Sequence, residues 1–177
     1  MGLKLKLLAI VLLLIFIFPI RARACGQESI ARFETQGNIS RLTYEDLFFT
    51  GEFTTRERAW VIFYNLLCMG RSEFVPQGVE LLGVTLVQGE LVVNVSSHIK
   101  NYGGTYNEEH LHAQLVLSGL GICGVDAVTL LIDGEPGVLP EGMTINQASF
   151  LPSFNASPAP RTSVAVPIRT SSSETPL

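Results

Sequence analysis

The segments that decide the fold lie between Pro76 and Glu135 and follow one another in a fixed order. The first two are Val79-Glu-Leu-Leu-Gly-Val-Thr85 and Gln88-Gly-Glu-Leu-Val-Val-Asn-Val-Ser-Ser97. Both are rich in β-branched residues, and the Gln-Gly pair between them suits a tight turn, so they predict a β-hairpin. An amphipathic segment near Glu108 to Ser118 predicts a helix. The near-continuous apolar run in Val125-Asp-Ala-Val-Thr-Leu-Leu-Ile-Asp-Gly-Glu135 predicts a closing strand.

Two capping-box patterns predict where helices begin. Thr54-Thr-Arg-Glu57 precedes apolar residues at helical spacing, and Gly70 offers a left-handed stop. Thr105-Tyr-Asn-Glu108 opens the second helix, which closely spaced glycines end. The first helix is apolar around much of its circumference, so we expect it to lie against a sheet and to have a second contact on its flank.

The order of helix, hairpin, helix and strand predicts an α+β fold. We expect a two-layer sandwich, with two helices packed on one face of a small β-sheet and an α-β-β-α-β core. Residues 40–50 are a candidate for an extra N-terminal edge strand, although Glu45-Asp46 disfavours it.

The first 24 residues form a predicted signal peptide. Lys4 and Lys6 precede the apolar run Leu7 to Phe18, and Ala22-Arg-Ala24 fits the small-x-small pattern of a cleavage site. Twelve apolar residues span about 18 Å as a helix, which is short of the ~30 Å core of a bilayer. We therefore expect an exported protein, on the outer side of the cytoplasmic membrane, either membrane-anchored or secreted.

Cys25 follows the predicted cleavage site directly, where a bacterial lipoprotein carries its lipidated cysteine. Lipidation of Cys25 is one interpretation. An ordinary signal peptide followed by a coincidental cysteine is the other, and Ala22 stands where an aliphatic residue such as Leu is usual.

The charge of the mature chain disfavours nucleic acid as a partner. Removal of residues 1–24 leaves eight Lys and Arg against 16 Asp and Glu, a formal charge of −8. A nucleic-acid site needs a basic patch to neutralise phosphates, and the mature chain has no run of Lys or Arg.

The remaining boundaries follow from composition. Residues 25–39 are interpreted as an N-terminal linker and residues 40–150 as one domain, long enough for a single core. Residues 151–177 are rich in Pro, Ser and Thr and are predicted to be a disordered tail. The apolar island Val164 to Ile168 in this tail is a candidate strand for pairing with a partner.

The ordered segments resemble the GerMN domain, which is named after a bacterial sporulation and germination protein. The resemblance covers about Thr54 to Glu135 and includes Leu81-Leu-Gly-Val84, Gly103-Gly104 and Ile132-Asp-Gly-Glu135. The chain departs from the family pattern at Asn94, where Asp is usual. The resemblance implies a membrane-associated bacterial protein that works as a structural or interaction module, without known chemistry.

Possible ligand residues lie on the second helix. His110 and His112 are two positions apart and face different ways, whereas Glu108 and His112 are four apart and can share a site. His98 is the third candidate ligand, and solvated helix residues are the alternative interpretation. Asp133-Gly-Glu135 is interpreted as a carboxylate pair or as a plain turn.

Cys68 and Cys123 each lie near the end of a predicted helix. If the two helices pack in parallel, these ends meet at one edge, and Cys68 and Cys123 can form a disulfide in an oxidising compartment. The alternative is two buried free thiols.

We therefore predict a non-enzymatic envelope module that needs no cofactor. It binds another envelope protein through the exposed edge of its sheet, because an unpaired edge offers a row of backbone N–H and C=O groups. The alternative is a metal- or carboxylate-dependent hydrolase acting on cell-wall polymer. Neither Gly-x-Ser-x-Gly nor His-Glu-x-x-His occurs in the sequence.

Overall fold

The computed structural model describes residues 27–70, 72–147 and 161–166, and this part of the chain has an α+β fold. Its elements in chain order are β1 (Gln27–Gln36), β2 (Ile39–Phe49), α1 (Thr55–Leu67), β3 (Leu81–Val87), β4 (Glu90–Val95), a 3-10 turn (Ser97–Lys100), α2 (Thr105–Leu120), β5 (Ala127–Ile132), β6 (Glu135–Pro136), β7 (Asn146–Gln147) and β8 (Arg161–Val166). The predicted α-β-β-α-β core is confirmed. The predicted signal peptide, residues 1–24, lies outside the described residues.

Helix α1 begins and ends where the sequence predicts. The Thr54 side chain accepts a hydrogen bond from Glu57 N at 3.2 Å, and the Glu57 carboxylate accepts one from Thr54 N at 2.8 Å. This is the predicted capping box. After the helix ends, Gly70 adopts a φ of 61°, which an L side chain rarely adopts.

The predicted hairpin lies in a sheet of order β3-β4-β5-β6, in which β7 also pairs with β5. Gln88 and Gly89 both have positive φ, 51° and 84°, as a type I′ turn requires. Strand β5 is parallel to β4, and the short strands β6 and β7 are antiparallel to β5. Among the described strands β3 pairs with β4 alone, so it forms the open edge of this sheet.

Helix α2 does not begin with the predicted second capping box. Its N-cap is Gly104, with φ 89° and no side-chain hydrogen bond to the helix. Glu108, the expected capping carboxylate, is fully buried and makes other contacts. The capping prediction is wrong because the buried carboxylate accepts hydrogen bonds from Glu141 N and Met143 N instead.

Both helices pack on the face of the sheet where alternate residues of β4 and β5 are buried. Gly119 lies inside α2, where an added Cβ would overlap with Val128 of β5 and lie 3.5 Å from the ring of Phe63 of α1. This glycine therefore permits a close approach of the helices and the sheet. A Cβ on Gly124, just beyond α2, would lie 3.9 Å from the hydroxyl of Thr55, the first residue of α1. The helices thus run antiparallel.

Strands β1 and β2 form a second, antiparallel hairpin that docks by its edge on α2. Ala31 N donates to Ser118 Oγ at 2.9 Å, and Phe33 N donates to Gln114 Oε1 at 3.1 Å. The helix side chains thereby satisfy N–H groups that an edge strand would otherwise leave unpaired.

The hairpin differs from the prediction for this part of the chain. Residues 25–39 were expected to be a linker, yet Gln27–Gln36 form a strand. The expected extra strand at residues 40–50 exists as β2, but it belongs to a separate sheet. The charges that disfavoured a strand are paired in the fold, as in the contact of Arg32 Nε with Glu45 Oε2 at 3.0 Å.

The tail also differs from the prediction where it is described. Arg161–Val166 form β8, which pairs in parallel with Tyr44 to Phe49 of β2. The polar half of β8 lies opposite the polar half of β2, and Val164, Ala165 and Val166 lie opposite Leu47, Phe48 and Phe49. The rest of the predicted disordered tail, residues 151–160 and 167–177, lies outside the described residues.

The core joins the helices, the larger sheet and the second hairpin. It contains Phe63 and Leu66 of α1, Leu111 and Leu115 of α2, and Ile30 of β1, all with no exposed surface. In the parts that the structure describes, no helix combines the length and apolarity needed to cross a membrane.

Candidate functional site

Glu108, from the predicted metal pair, holds a loop in place. Its Oε2 accepts from Glu141 N at 2.7 Å, and its Oε1 accepts from Met143 N at 2.7 Å. The hydroxyl of Tyr102 also donates to Oε2 at 2.9 Å. Burial, followed by this carboxylate, raises the pKa of Tyr102 well above its usual 10. Both oxygens of Glu108 therefore bind donors of the protein itself.

The structure brings His112 near Glu108 but separates the other candidate ligands. Burial lowers the pKa of His112, against smaller opposing effects of a backbone hydrogen bond with Thr144 and of the Glu108 charge. His110 instead stacks on Phe74, with ring centroids 4.5 Å apart.

His98, the third candidate, is exposed on the 3-10 turn. Within residues 27–70, 72–147 and 161–166, no three His, Cys, Asp or Glu residues are grouped to hold a metal ion.

The Asp133-Gly-Glu135 segment is a turn between β5 and β6. Asp133 has a φ of 52°, and its Oδ1 accepts from Ser97 N at 3.2 Å. Gly134 N donates to Asn94 Oδ1 at 2.9 Å. Asn94, which stands where the family pattern has Asp, thus fixes this turn through its amide oxygen.

The predicted pairing of Cys68 with Cys123 is wrong. Cys68 is a free thiol, whereas Cys123 is disulfide-bonded. The prediction assumed parallel helices, but α1 and α2 are antiparallel. Cys68 therefore lies at the far end of the 13-residue helix α1 from Cys123, about 20 Å away at 1.5 Å per residue. A disulfide needs Cα atoms within about 7 Å. Cys25, the candidate for lipidation, lies outside the described residues.

A groove of about 410 Å³ runs between the first turns of α1 and the open strand β3. Its lining consists of Arg56, Glu57, Trp60, Gly83, Val84 and Thr85. The Glu57 carboxylate is engaged in the capping box and Gly83 adjoins a bulge in β3. The groove therefore places an aromatic side chain beside the backbone of an edge strand.

Large apolar side chains are exposed on both elements that flank the groove, helix α1 and strand β3. Trp60 and Tyr64 follow one another by one turn of α1 and are 42% and 46% exposed. On β3, Leu82 and Val87 are 45% and 56% exposed. The sequence predicted a second contact for the flank of α1, and within the described residues this flank is open. The exposure of Trp60 was not predicted, because its spacing also fits the buried stripe; the apolar character of the whole circumference was the available signal.

A part of the chain matches a known protein family. Residues 52–138 match the family model described as "Germane: Sporulation and spore germination". The chain carries a GerMN-like domain. The match spans the whole α-β-β-α-β core and ends just beyond β6.

A solved structure of tandem GerMN domains resembles this chain in fold. The tandem GerMN domains of the sporulation protein GerM from Bacillus subtilis align with a TM-score of 0.50 and 16% identity, covering 69% of this chain and 46% of that one. The first GerMN domain of the same protein aligns with a TM-score of 0.47 and 16% identity, covering 71% of this chain and 96% of that one. This chain thus spans less than half of the tandem structure. The comparison with curated proteins finds no match.

Proposed function

We propose that this protein is a non-enzymatic module of the bacterial cell envelope that binds an extended segment of another exported protein along β3. The observation that carries the proposal is the open edge of β3 beside a groove that contains Trp60. Export rests on the signal-peptide pattern of residues 1–24, and the bacterial envelope setting rests on the GerMN-like domain.

The register of the hairpin identifies the backbone groups that are free to bind. Val87 pairs with Glu90 across a two-residue turn, so these two residues exchange both hydrogen bonds. The pattern then alternates along the strand. Thr85 directs its N–H and C=O to β4, whereas those of Val84 and Leu86 face away from β4. An incoming strand can pair with Val84 and Leu86.

The flank of α1 supplies side-chain contacts for that strand. Trp60 lines the groove next to Val84, and Tyr64 extends the exposed surface by one helical turn. Tryptophan and tyrosine dominate the affinity of many protein interfaces, because they bury large apolar surfaces at low conformational cost. A partner segment with an apolar residue facing Trp60 fits this arrangement.

The other described edges differ from β3 in what adjoins them. Strands β6 and β7 pair with the outer side of β5. Ser118 and Gln114 of α2 bind the edge of β1, and β8 pairs with β2 and is the end strand of that sheet. Among the described edges, β3 is the one that lines the groove beside the exposed Trp60.

The residues that suggested a hydrolase do not favour that alternative. Both oxygens of Glu108 bind backbone N–H groups, and Asp133 stabilises a turn. A metal ligand or general base needs a lone pair that can face a substrate. We therefore propose binding without chemistry.

Site-specific photo-crosslinking of the full chain in producing cells tests this proposal. A benzoylphenylalanine at Val87 of β3 is expected to crosslink to another exported protein, and Trp60→Ala is expected to reduce the adduct at least tenfold. Tyr106→Ala, which removes an aromatic residue that is 54% exposed on the other helix, should leave the adduct unchanged.

Two results would contradict strand binding at β3. One is equal adduct formation from a benzoylphenylalanine at Val138, which is exposed but does not belong to β3. The other is an adduct at Val87 that persists unchanged in the Trp60→Ala variant.

A further inference from the structure

The cysteines of this chain define a covalent link that is independent of the proposed binding function. The sequence contains three cysteines, at positions 25, 68 and 123. Cys68 is a free thiol and Cys123 is disulfide-bonded. We infer that Cys25 is the partner of Cys123, and that this disulfide ties the N-terminal hairpin to the end of α2.

The described contacts place the beginning of β1 beside the end of α2. Cys123 N donates to Glu28 Oε1 at 3.3 Å. A Cβ on Gly121 would lie 3.3 Å from the carbonyl oxygen of Ser29. Glu28 also accepts from Arg58 Nε at 2.8 Å, which fixes the beginning of β1 against α1 as well.

Chain length then permits the link. Cys25 precedes Glu28 by three residues, and three residues span at most about 10 Å. The side chain of Glu28 already reaches the backbone of Cys123. The thiol of Cys68, about 20 Å away along α1, is out of reach without unfolding.

Formation of the bond requires an oxidant from outside the chain. The thiolate of Cys25 or Cys123 attacks the disulfide of a thiol–disulfide exchange protein or a small disulfide compound, and the second cysteine resolves the mixed disulfide. The two cysteines lose two protons and two electrons, and the oxidant leaves as two thiols. Exported compartments provide such oxidants, in agreement with the signal-peptide pattern.

The link bears directly on how the protein is attached to the membrane. A sulfur atom in a disulfide cannot at the same time carry a thioether-linked diacylglycerol. Disulfide formation therefore excludes lipidation of Cys25 in the same molecule, and Cys25 becomes a structural staple of the exported domain.

Peptide mapping of the full chain, purified after export without reduction, tests the inference. Trypsin places the three cysteines in separate peptides, because Arg23, Arg32, Arg58, Arg71, Lys100 and Arg161 separate them. We expect the peptide with Cys25 to be linked to the peptide with Cys123, and the peptide with Cys68 to be alkylated. A diacylglycerol adduct on Cys25, a link to Cys68, or alkylation of all three thiols would each overturn it.

Thermal unfolding supplies a second readout. Cys123→Ala should lower the midpoint by about 10 °C, because a native disulfide stabilises the folded protein by constraining the unfolded chain. Cys68→Ala is the matched control and should shift the midpoint far less. Equal shifts in the two variants would contradict a stapling role for Cys123.

Discussion

At the scale of single residues, buried polar groups organise this fold where apolar patterning gives no guidance. Glu108 is fully buried and accepts hydrogen bonds from two backbone N–H groups and one hydroxyl. Charged acceptors make stronger hydrogen bonds than neutral ones, and removing one partner leaves the others unsatisfied. The loop between β6 and β7 thus depends on the carboxylate of Glu108 in α2.

Glu108→Ala should therefore destabilise the protein strongly. We expect a loss of about 3 kcal/mol or more in the free energy of unfolding, because Glu141 N and Met143 N lose their acceptor. Urea unfolding followed by circular dichroism measures the effect. Glu109→Ala, an exposed neighbour on the same helix, is the control and should stay within about 0.5 kcal/mol of the parent chain. Equal stability of the two variants would refute the loop-holding role.

The sequence could not identify this role for Glu108. Its position three residues after Thr105 fits a capping box, and its spacing from His112 fits a ligand pair. Both interpretations use local geometry. The observed partners Glu141 and Met143 lie 33 and 35 residues away, and no local pattern encodes a contact of that range.

At the scale of elements, local signals predicted what local interactions determine. The capping box at Thr54 and the positive-φ pair Gln88-Gly89 are short-range devices, and both are present. The fold class followed from their order. By contrast, one of the closely spaced glycines expected to end the second helix, Gly119, lies inside α2. Its close contact with Val128 depends on how the helix meets the sheet, which the sequence does not state.

Substitution of Gly119 tests that packing. Gly119→Ala should lower the free energy of unfolding by about 1–3 kcal/mol despite the better helix propensity of alanine, because the added methyl group overlaps with Val128. Thermal or urea unfolding measures the change. Gly103→Ala is the control, since a Cβ there meets nothing within 4 Å. A Gly119→Ala variant as stable as the parent would contradict the close approach.

The β1–β2 hairpin was missed for a different physical reason. Its polar residues Glu28 and Arg32 are nearly buried, and each forms an ion pair with a residue distant in the sequence. Hydropathy therefore gave no alternation at Gln27–Gln36. The Gly37-Asn38 pair between two strand-forming segments was the available turn signal, and Gly37 has the expected positive φ of 65°.

At the scale of the whole molecule, the described structure offers one sheet edge next to an aromatic groove. The family match and the fold identify a GerMN-like domain, and the hydrogen-bonded carboxylate of Glu108 supports the proposed binding role. The exposed flank of α1 leaves Trp60 and Tyr64 accessible to the proposed partner. The candidate site could be predicted only as a sheet edge, because the identity of the open edge depends on the pairing of β5 with β6 and β7.

The central claim is that a partner strand pairs with β3. Backbone hydrogen exchange, measured with and without the partner that crosslinking identifies, tests this claim most directly. In the free protein, the N–H of Thr85 should exchange slowly because it faces β4. The N–H groups of Val84 and Leu86 should exchange quickly because they face away from β4. We predict that the partner slows exchange at Val84 and Leu86 and leaves Thr85 unchanged. Protection confined to the β1–β2 hairpin, with Val84 and Leu86 unaffected, would contradict strand binding at β3.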